Sequence, residues 1–414
     1  MKKFNVEKIG TFGERLGRWD VAENHKDVKS PGLWLTTSAC GVPHLTPETI
    51  HMSGLMTTTN ISFAGFLVSY EKHARSIDVY QDFKKGFRRF SGLPDAPIMV
   101  TVMDPMLKAK SGYNTSKSIS VWGESNHREL VDVHQYKVGL EALKPDIFVS
   151  LCDSDIPKDD SGSTKRAQKA TKFTQNSVDY LMEQNENCLH VGPIGGSYIE
   201  LLRQKNAQWM ASKHLDGYLL DGFHSNGETS LEVDLKQVLH IIENFILPSL
   251  SAAKPRLYFG MVEPYTVLKL VQIGVDFFET SFAYYKTELG HALTFKNSLN
   301  TIGKASDDEK VLGKNNLEDS VDVNDVDFID LNLPKYKNDF GPILQTCSCY
   351  TCRKHTRGYI NHLLATKELL AGVLLTIHNL HHYATFFETI REAIALDAFE
   401  QLLKHFESKV EQNE

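Results

Sequence analysis

An α/β barrel is the fold that the sequence predicts, with a doubly wound open sheet as the alternative. Short apolar runs recur along the chain without polar alternation, and most are followed by a segment of helical period. Such runs are typical of parallel strands that are buried on both faces. A chain of 414 residues is long enough for one large barrel with additions.

Six apolar runs are the candidate strands of this sheet. They are Ile98–Met103, Ile147–Cys152, Cys188–Val191, Leu215–Leu220, Leu257–Val262 and Val275–Phe278. The segment between the last two predicts a helix, because Pro264 suits a first helical turn and Gly274 suits the residue that follows a helix. Strand, helix and strand together predict a βαβ unit, in which the two strands are parallel.

The C-terminal part of the chain is predicted to be helical. Apolar residues recur at helical spacing from Leu370 to Ile377, from Tyr383 to Ile394 and from Phe399 to Phe406. Residues 304–330 are rich in Asp, Glu, Asn and Lys, which predicts an exposed, partly disordered insertion or, alternatively, an interaction tail. We therefore expect a barrel over residues 1–303 and a helical subdomain that closes it over residues 331–414.

The composition indicates a globular protein of a reducing compartment. The formal net charge is −7, which argues against a chain whose whole surface coats nucleic acid. The N-terminus lacks the apolar region of a secretory signal, and no apolar run is long enough to span a bilayer. Two local basic clusters remain, for which a solvated surface is the plainer interpretation. They are Lys84, Lys85, Arg88 and Arg89, and then Arg353, Lys354 and Arg357.

Three cysteines within six positions indicate a metal site. Cys347, Cys349 and Cys352 offer three thiolates in one tight turn, and a structural zinc site needs four sulfur or nitrogen ligands. The fourth ligand would come from a downstream histidine, and the candidates are His362, His378, His381 and His382. An iron–sulfur cluster would require a fourth cysteine, but Cys40, Cys152 and Cys188 are distant in sequence. Unliganded thiols are the remaining alternative.

The segment from Gly341 to Ile394 resembles the tRNA-guanine transglycosylase family. That family carries C-x-C-x2-C followed, after 25 intervening residues, by a histidine, which here is His378. Weaker matches upstream include Val191–Gly196, Tyr258–Pro264 and the strand Gly274–Phe278. The resemblance implies an irregular (β/α)8 barrel with a zinc-binding subdomain, and one structural Zn²⁺ on Cys347, Cys349, Cys352 and His378.

Family members exchange guanine for a 7-deazaguanine base in tRNA, and this sequence departs from the residues of that chemistry. The aspartate that attacks the ribose and forms a covalent RNA intermediate is replaced by Glu279, one methylene longer, at a position where geometry is strict. The general acid/base aspartate of D-S-G-G-F-Q has no counterpart in register, although Asp104 lies two or three positions away. The glutamine that reads the base is Ile194.

Two loops of the family pattern are also altered. Leu220–Ser225 replaces the glycine-rich loop that receives the base, and Ser281–Tyr284 replaces the tRNA-reading stretch after the nucleophile. Asp153 matches the aspartate that contacts the base, but a strand-end carboxylate that caps the next helix is the plainer interpretation. The scaffold and the metal ligands are thus retained where the chemistry is not.

This pattern resembles the accessory, non-catalytic members of the family. The resemblance implies a heterodimer with a catalytic paralogue, formed through the zinc-containing region, with a homodimer as the alternative when the paralogue is absent. It also implies tRNA as the shared substrate and the cytoplasm as location, with peripheral attachment to the mitochondrial outer membrane as a further expectation. Basic side chains such as Arg353, Lys354 and Arg357 would contact phosphates. An active transglycosylase that uses Glu279 and a zinc-stabilised RNA-binding scaffold are the competing hypotheses.

Overall fold

The structure, a computed structural model, describes residues 4–21, 27–38, 41–53, 59–62, 83, 86–92, 97–107, 110–122, 128–156, 163–182, 188–224, 226–297, 299 and 327–413. Within them the chain forms two compact units. The first comprises Met1–Val42 and Thr57–Ser281, and the second comprises Pro43–Met56 and Phe282–Glu414. The second unit therefore begins well before the predicted boundary at residue 331, because the helix after the last barrel strand packs with the C-terminal helices.

The strands within the described residues are numbered in chain order. They are β1 (Phe4–Ile9), β2 (Arg15–Trp19), β3 (Val28–Ser30), β4 (Gly32–Thr37), β5 (Thr59–Ser62), β6 (Ile98–Thr101), β7 (Ser118–Trp122), β8 (Arg128–Asp132), β9 (Ile147–Val149), β10 (Leu189–Ile194), β11 (Gly217–Leu220), β12 (Arg256–Leu257), β13 (Phe277–Glu279), β14 (His291–Leu293) and β15 (Phe328–Asp330).

The α-helices are numbered in the same way. They are α1 (Pro47–Met52), α2 (Phe87–Phe90), α3 (Val133–Leu143), α4 (Ser163–Met182), α5 (Glu200–Ala211), α6 (Leu235–Ile241), α7 (Pro264–Gln272), α8 (Ser281–Glu288), α9 (Tyr350–Lys354), α10 (Arg357–Ala365), α11 (Leu369–Ala395) and α12 (Phe399–Asn413). None of the helices in the described ranges is long and apolar enough to cross a membrane.

Eight parallel strands close into a barrel in the first unit. Their order is β4-β5-β6-β9-β10-β11-β12-β13, and β13 pairs back onto β4 with Phe277 opposite Gly32. This closure confirms the predicted barrel and excludes the open sheet. All six apolar runs contribute to barrel strands, and Pro264 and Gly274 bound α7 as predicted, the glycine with φ +85°. A βαβ unit (β12, α7, β13) results.

Side chains from alternate strand positions fill the barrel. Trp34, Val149, Val191, Leu257 and Phe277 are buried there together with residues of the N-terminal antiparallel sheet, β1 to β3. Trp19 of that sheet lies 5.4 Å from the Phe277 ring and 6.5 Å from the Trp34 ring. The small sheet therefore completes the interior core, which leaves the C-terminal ends of the strands for the loops.

The second unit is built around the long helix α11 and the pair β14–β15. The strand β15 pairs antiparallel with β14, with Phe328 opposite Leu293. The insertion predicted over residues 304–330 therefore ends earlier than expected, since Phe328–Asp330 is paired strand, and residues 304–326 lie outside the described residues. The predicted C-terminal helices are confirmed as α11 and α12.

Candidate metal centre and barrel mouth

Three thiols and one imidazole meet in the second unit. The ligand atoms of Cys347, Cys349, Cys352 and His378 all lie within 4.8 Å of one another. The Nδ1 atom of His378 is 3.8 Å from the sulfur of Cys347, 3.6 Å from that of Cys349 and 3.3 Å from that of Cys352. Ligands bound tetrahedrally at about 2.0 to 2.3 Å lie roughly 3.3 to 3.8 Å apart, so the four groups could hold one metal ion together.

The local fold fixes each of these ligands. Cys349 is the N-cap of α9, and its sulfur accepts a hydrogen bond from the backbone N–H of Cys352 at 3.3 Å. His378 lies on α11, and its Nε2 donates to the carbonyl oxygen of Leu293 at 2.9 Å, which leaves Nδ1 to face the thiols. The next residue, Asn379, accepts from the Leu293 N–H at 2.9 Å and so holds β14 in place.

Of the other candidate histidines, His362 is exposed on α10, and His381 and His382 contact other groups. His382 is buried, bonds the carbonyl oxygen of Phe295 through Nε2 at 2.9 Å, and has a pKa lowered to about 3 by burial and by the charge of His378. His381 lies 3.4 Å from the hydroxyl of Ser348. Burial opposes protonation of His378, but the thiol groups of Cys347 and Cys349 outweigh it and raise the pKa to about 10. A metal ion on Nδ1 would therefore displace a proton.

A second candidate site is a cavity of about 130 Å³ at the C-terminal ends of the barrel strands. Its lining includes Thr101, Ser150, Cys152, Asp221, His224 and Phe259. Barrel enzymes place their active sites at this edge, because the loops after the strands converge there. The residues that match the catalytic and base-contacting positions of the family lie at this edge, since Glu279 ends β13, Ile194 ends β10 and Asp153 follows β9.

Glu279 ends β13, and four hydrogen-bond donors enclose its carboxylate. Oε1 accepts from the Gly260 N–H at 3.1 Å and from the Ser281 hydroxyl, and Oε2 accepts from the Ser281 N–H at 2.6 Å and from the Thr36 hydroxyl. The residue is fully buried, and burial raises its pKa to about 7 even though the four donors favour the ionised form. Each oxygen thus has two protein partners, so the carboxylate is not presented to a ligand.

Asp153 follows β9 and is equally enclosed. Arg166 of α4 binds it in a bidentate pair, with nitrogen to oxygen distances of 2.6 and 2.7 Å. The amide of Asn114 donates to the same carboxylate at 2.8 Å, and the backbone N–H of Asp155 does so at 3.3 Å. The side chain is 1% exposed. Its role in this structure is to join α4 to the loops at the barrel mouth.

The base-reading positions are occupied by a buried arginine network. Ile194 ends β10 fully buried, and its carbonyl oxygen accepts from the guanidinium of Arg203. Arg203 also donates to the carbonyl oxygens of Ser197 at 2.7 Å and Asp221 at 2.5 Å, and lies 3.8 Å from the centre of the Phe223 ring. Burial lowers its pKa to about 10. Arg203 thereby connects α5 to the loop after β11, and the ring of Phe223, a residue of that loop, is buried against the guanidinium.

The remaining predicted residues are placed as follows. Asp104 is buried, and its Oδ1 accepts from the Met106 N–H at 2.9 Å, as in a local turn. Arg353 and Lys354 are exposed at the end of α9, whereas Arg357 pairs with Asp339 at 3.1 Å. In the other basic cluster Arg88 pairs with Asp146, and Lys84 and Lys85 lie outside the described residues, as does Cys40.

Sequence reasoning misses the partners that enclose the two carboxylates. Thr36 lies 243 positions before Glu279 in the chain, and Arg166, the partner of Asp153, is one of several charged residues of α4. Ser281 is the one available signal. A hydroxyl two residues after a strand-end carboxylate can cap it locally.

Known proteins resemble this chain over nearly its whole length. A family model described as queuine tRNA-ribosyltransferase matches residues 11–412. Three similar proteins are each named queuine tRNA-ribosyltransferase accessory subunit 2. That of Homo sapiens is 33% identical over 427 residues, which cover 97% of this chain and 98% of that protein. That of Xenopus laevis is 32% identical with 95% and 96% covered, and that of Ixodes scapularis is 31% identical with 94% and 96% covered. Since both kinds of match span nearly its whole length, the chain belongs to the queuine tRNA-ribosyltransferase family.

Proposed function

We propose that this chain is the non-catalytic accessory subunit of a heterodimeric tRNA-guanine transglycosylase. The complex would exchange guanine for queuine at the wobble position of tRNAs with GUN anticodons, and a catalytic paralogue would supply the nucleophile. One observation carries the proposal. The carboxylate at the nucleophile position, Glu279, is fully buried and holds four hydrogen bonds from its own chain.

The chemistry of a nucleophilic carboxylate requires an oxygen within about 3.5 Å of the reacting carbon and aligned with it. Glu279 would have to leave four donors without partners to reach a ribose, and each buried donor left unpaired costs about 1 to 3 kcal/mol. The carboxylate of Asp153 likewise accepts two hydrogen bonds from Arg166. Both carboxylates therefore stabilise the barrel mouth, which favours the accessory role over an active transglycosylase that uses Glu279.

We further propose that the metal held by Cys347, Cys349, Cys352 and His378 is one structural Zn²⁺. Three thiolates and one imidazole are the ligands that this borderline-soft ion prefers. Four protein ligands leave no open position for a substrate, and the hydrogen bond from His378 to Leu293 fixes the imidazole. The ion would supply folding energy to the second unit rather than take part in base exchange.

The surface beside this metal loop suits the proposed partner subunit. Tyr350, His355 and Tyr359 form an aromatic ladder, with ring centroids 5.7 Å apart for the first pair and 5.4 Å for the second. The two tyrosines are 41% and 40% exposed, and Phe340 of the same unit is 79% exposed. Exposed aromatic side chains of this kind are enriched at the centres of protein interfaces. We propose this aromatic ladder as part of the heterodimer interface.

Replacement of Tyr359 by Ala should weaken assembly with the catalytic paralogue. An aromatic residue at an interface centre contributes about 2 kcal/mol or more, so the dissociation constant should rise roughly 30-fold. Analytical ultracentrifugation of the mixed subunits measures this constant. Phe12→Ala removes a ring that is 44% exposed in the first unit and is the matched control. If the two variants bound the paralogue with equal affinity, the aromatic ladder would not be part of the interface.

The proposed function is tested by guanine exchange on a tRNA that carries guanine at the wobble position. Purified chain, purified paralogue and their equimolar mixture are assayed for incorporation of labelled base. We expect full activity in the mixture and none from this chain alone. Exchange by this chain alone would show that Glu279 is a working nucleophile and would overturn the proposal.

A further inference from the structure

A row of lysines runs along the outer face of α4 in the first unit. Lys165, Lys169 and Lys172 are all exposed, and their spacing of four and then three residues places them on one face of the helix. The row is about 10 Å long at 1.5 Å per residue. The single acidic residue of α4, Asp179, is paired with Lys213 at 2.6 Å. Among the residues that the structure describes, no ion pair joins any of the three lysines to an acidic side chain.

A ladder of alternating cations and rings lies on the β7–β8 hairpin and the segment before it. The Lys110 Nζ is 5.0 Å from the centre of the Trp122 ring, which is 5.4 Å from the Tyr113 ring. The Arg128 guanidinium lies 5.0 Å from the other ring, that of Tyr113. Tyr113 is 46% exposed, and both cations are exposed. Cation–π contacts hold these flexible cations in position at the surface.

The loop after β9 joins the lysine row to this cation–ring ladder. The carboxylate of Asp153 in that loop accepts hydrogen bonds from Arg166 of α4 and from Asn114, the residue after Tyr113. Asp155 accepts from the backbone N–H of Gly112 at 2.6 Å. Asp153 and Asp155 thus attach the hairpin segment and the first turn of α4, which carries Lys165, to the same strand end. The lysine row and the cation–ring ladder are together called the basic face.

We propose that this face binds RNA, with the lysine row on the phosphates and Tyr113 against a base. The inference rests on the proposed function, since the RNA would be the tRNA that the heterodimer holds. A protein with a net charge of −7 that concentrates exposed lysines on one helix face can attract a polyanion there. The exposed ring between cations favours RNA over an anionic membrane, because stacking on a base uses the ring and a lipid headgroup does not.

The lysine row is tested by the affinity of the assembled heterodimer for a wobble-guanine tRNA at about 50 to 200 mM salt. The variant Lys165→Ala/Lys169→Ala/Lys172→Ala should raise the dissociation constant about a hundredfold or more at the low-salt end of this range. It should also reduce the slope of log affinity against log salt by about three, one for each phosphate that a lysine no longer neutralises. The control Lys29→Ala/Lys205→Ala/Lys236→Ala removes three exposed lysines from other elements and should change neither quantity.

A variant at Tyr113 distinguishes the contribution of base stacking to tRNA affinity from that of charge. Tyr113→Ala should raise the dissociation constant about tenfold with an unchanged salt slope, because the loss of a stacked base releases no ions. Identical tRNA binding by the lysine-row variant and its control would overturn the inference. Loss of binding to anionic vesicles by the lysine-row variant, with tRNA binding intact, would assign the face to membranes instead. Absence of exchange by the wild-type mixture would count against the proposed function alone, since binding is measured directly.

Discussion

Cys349→Ser is expected to release the metal and to destabilise the second unit. The sulfur of Cys349 lies 3.6 Å from His378 Nδ1 and also caps α9, so its loss removes a ligand and loosens the loop that carries the other two thiols. Structural zinc contributes about 10 kcal/mol or more in small zinc modules. In a unit that has its own apolar core we expect a loss of about 4 kcal/mol, or a melting temperature lower by about 10 °C.

Metal content by mass spectrometry and thermal unfolding together measure this result. Cys188→Ser is the matched control, because Cys188 is half-buried outside the cluster and donates to the carbonyl oxygen of Pro145, a bond that serine can keep. The control should retain the metal and melt within a few degrees of wild type. A Cys349→Ser protein with one tightly bound zinc and an unchanged melting temperature would contradict the metal assignment.

Glu279→Ala is expected to cost stability but not chemistry. Removal of the carboxylate leaves the N–H groups of Gly260 and Ser281 and the hydroxyls of Thr36 and Ser281 without their acceptor in a buried position. At about 1 to 3 kcal/mol for each unpaired donor, partly relieved by entry of water, the free energy of unfolding should fall by about 3 to 5 kcal/mol. Urea unfolding of the purified chain measures the loss.

The catalytic part of that prediction is measured on the intact heterodimer. At a temperature where the variant complex stays assembled, the turnover number for guanine exchange should equal that of the wild-type complex within about twofold. Thr36→Val serves as the control for stability alone, since it removes one donor and leaves the carboxylate. If turnover fell by a hundredfold in an assembled Glu279→Ala complex, Glu279 would belong to the chemistry and not to the scaffold.

The barrel can be predicted from the sequence only in part. Apolar runs indicate six of its eight strands, but not β5, because Thr59–Ser62 is mostly polar, and not β4, whose apolar residues form too short a run. The β1–β3 sheet and the β7–β8 hairpin are not predicted either. Their strands mix charged or polar residues with apolar ones, so they lack the continuous apolar runs by which the buried barrel strands are recognised.

The two candidate sites differ in how far sequence can define them. The metal ligands follow from their chemistry and from the resemblance, because three thiols are adjacent in sequence and the histidine is at a fixed spacing. The state of the barrel mouth does not follow. Whether Glu279 faces a ligand or its own chain depends on Thr36 and Gly260, and the commitment of Asp153 depends on Arg166. Sequence identifies the altered positions, and the structure supplies their hydrogen-bond partners.

The central claim is that this chain supplies no nucleophile, and trapping of the covalent RNA intermediate tests it most directly. The heterodimer is incubated with end-labelled wobble-guanine tRNA, denatured and resolved on a gel on which a mass tag separates the two subunits. We expect labelled RNA on the catalytic paralogue alone, and no label on either subunit when the paralogue's nucleophilic aspartate is replaced. Labelled RNA on this chain, lost on replacement of Glu279, would contradict the account.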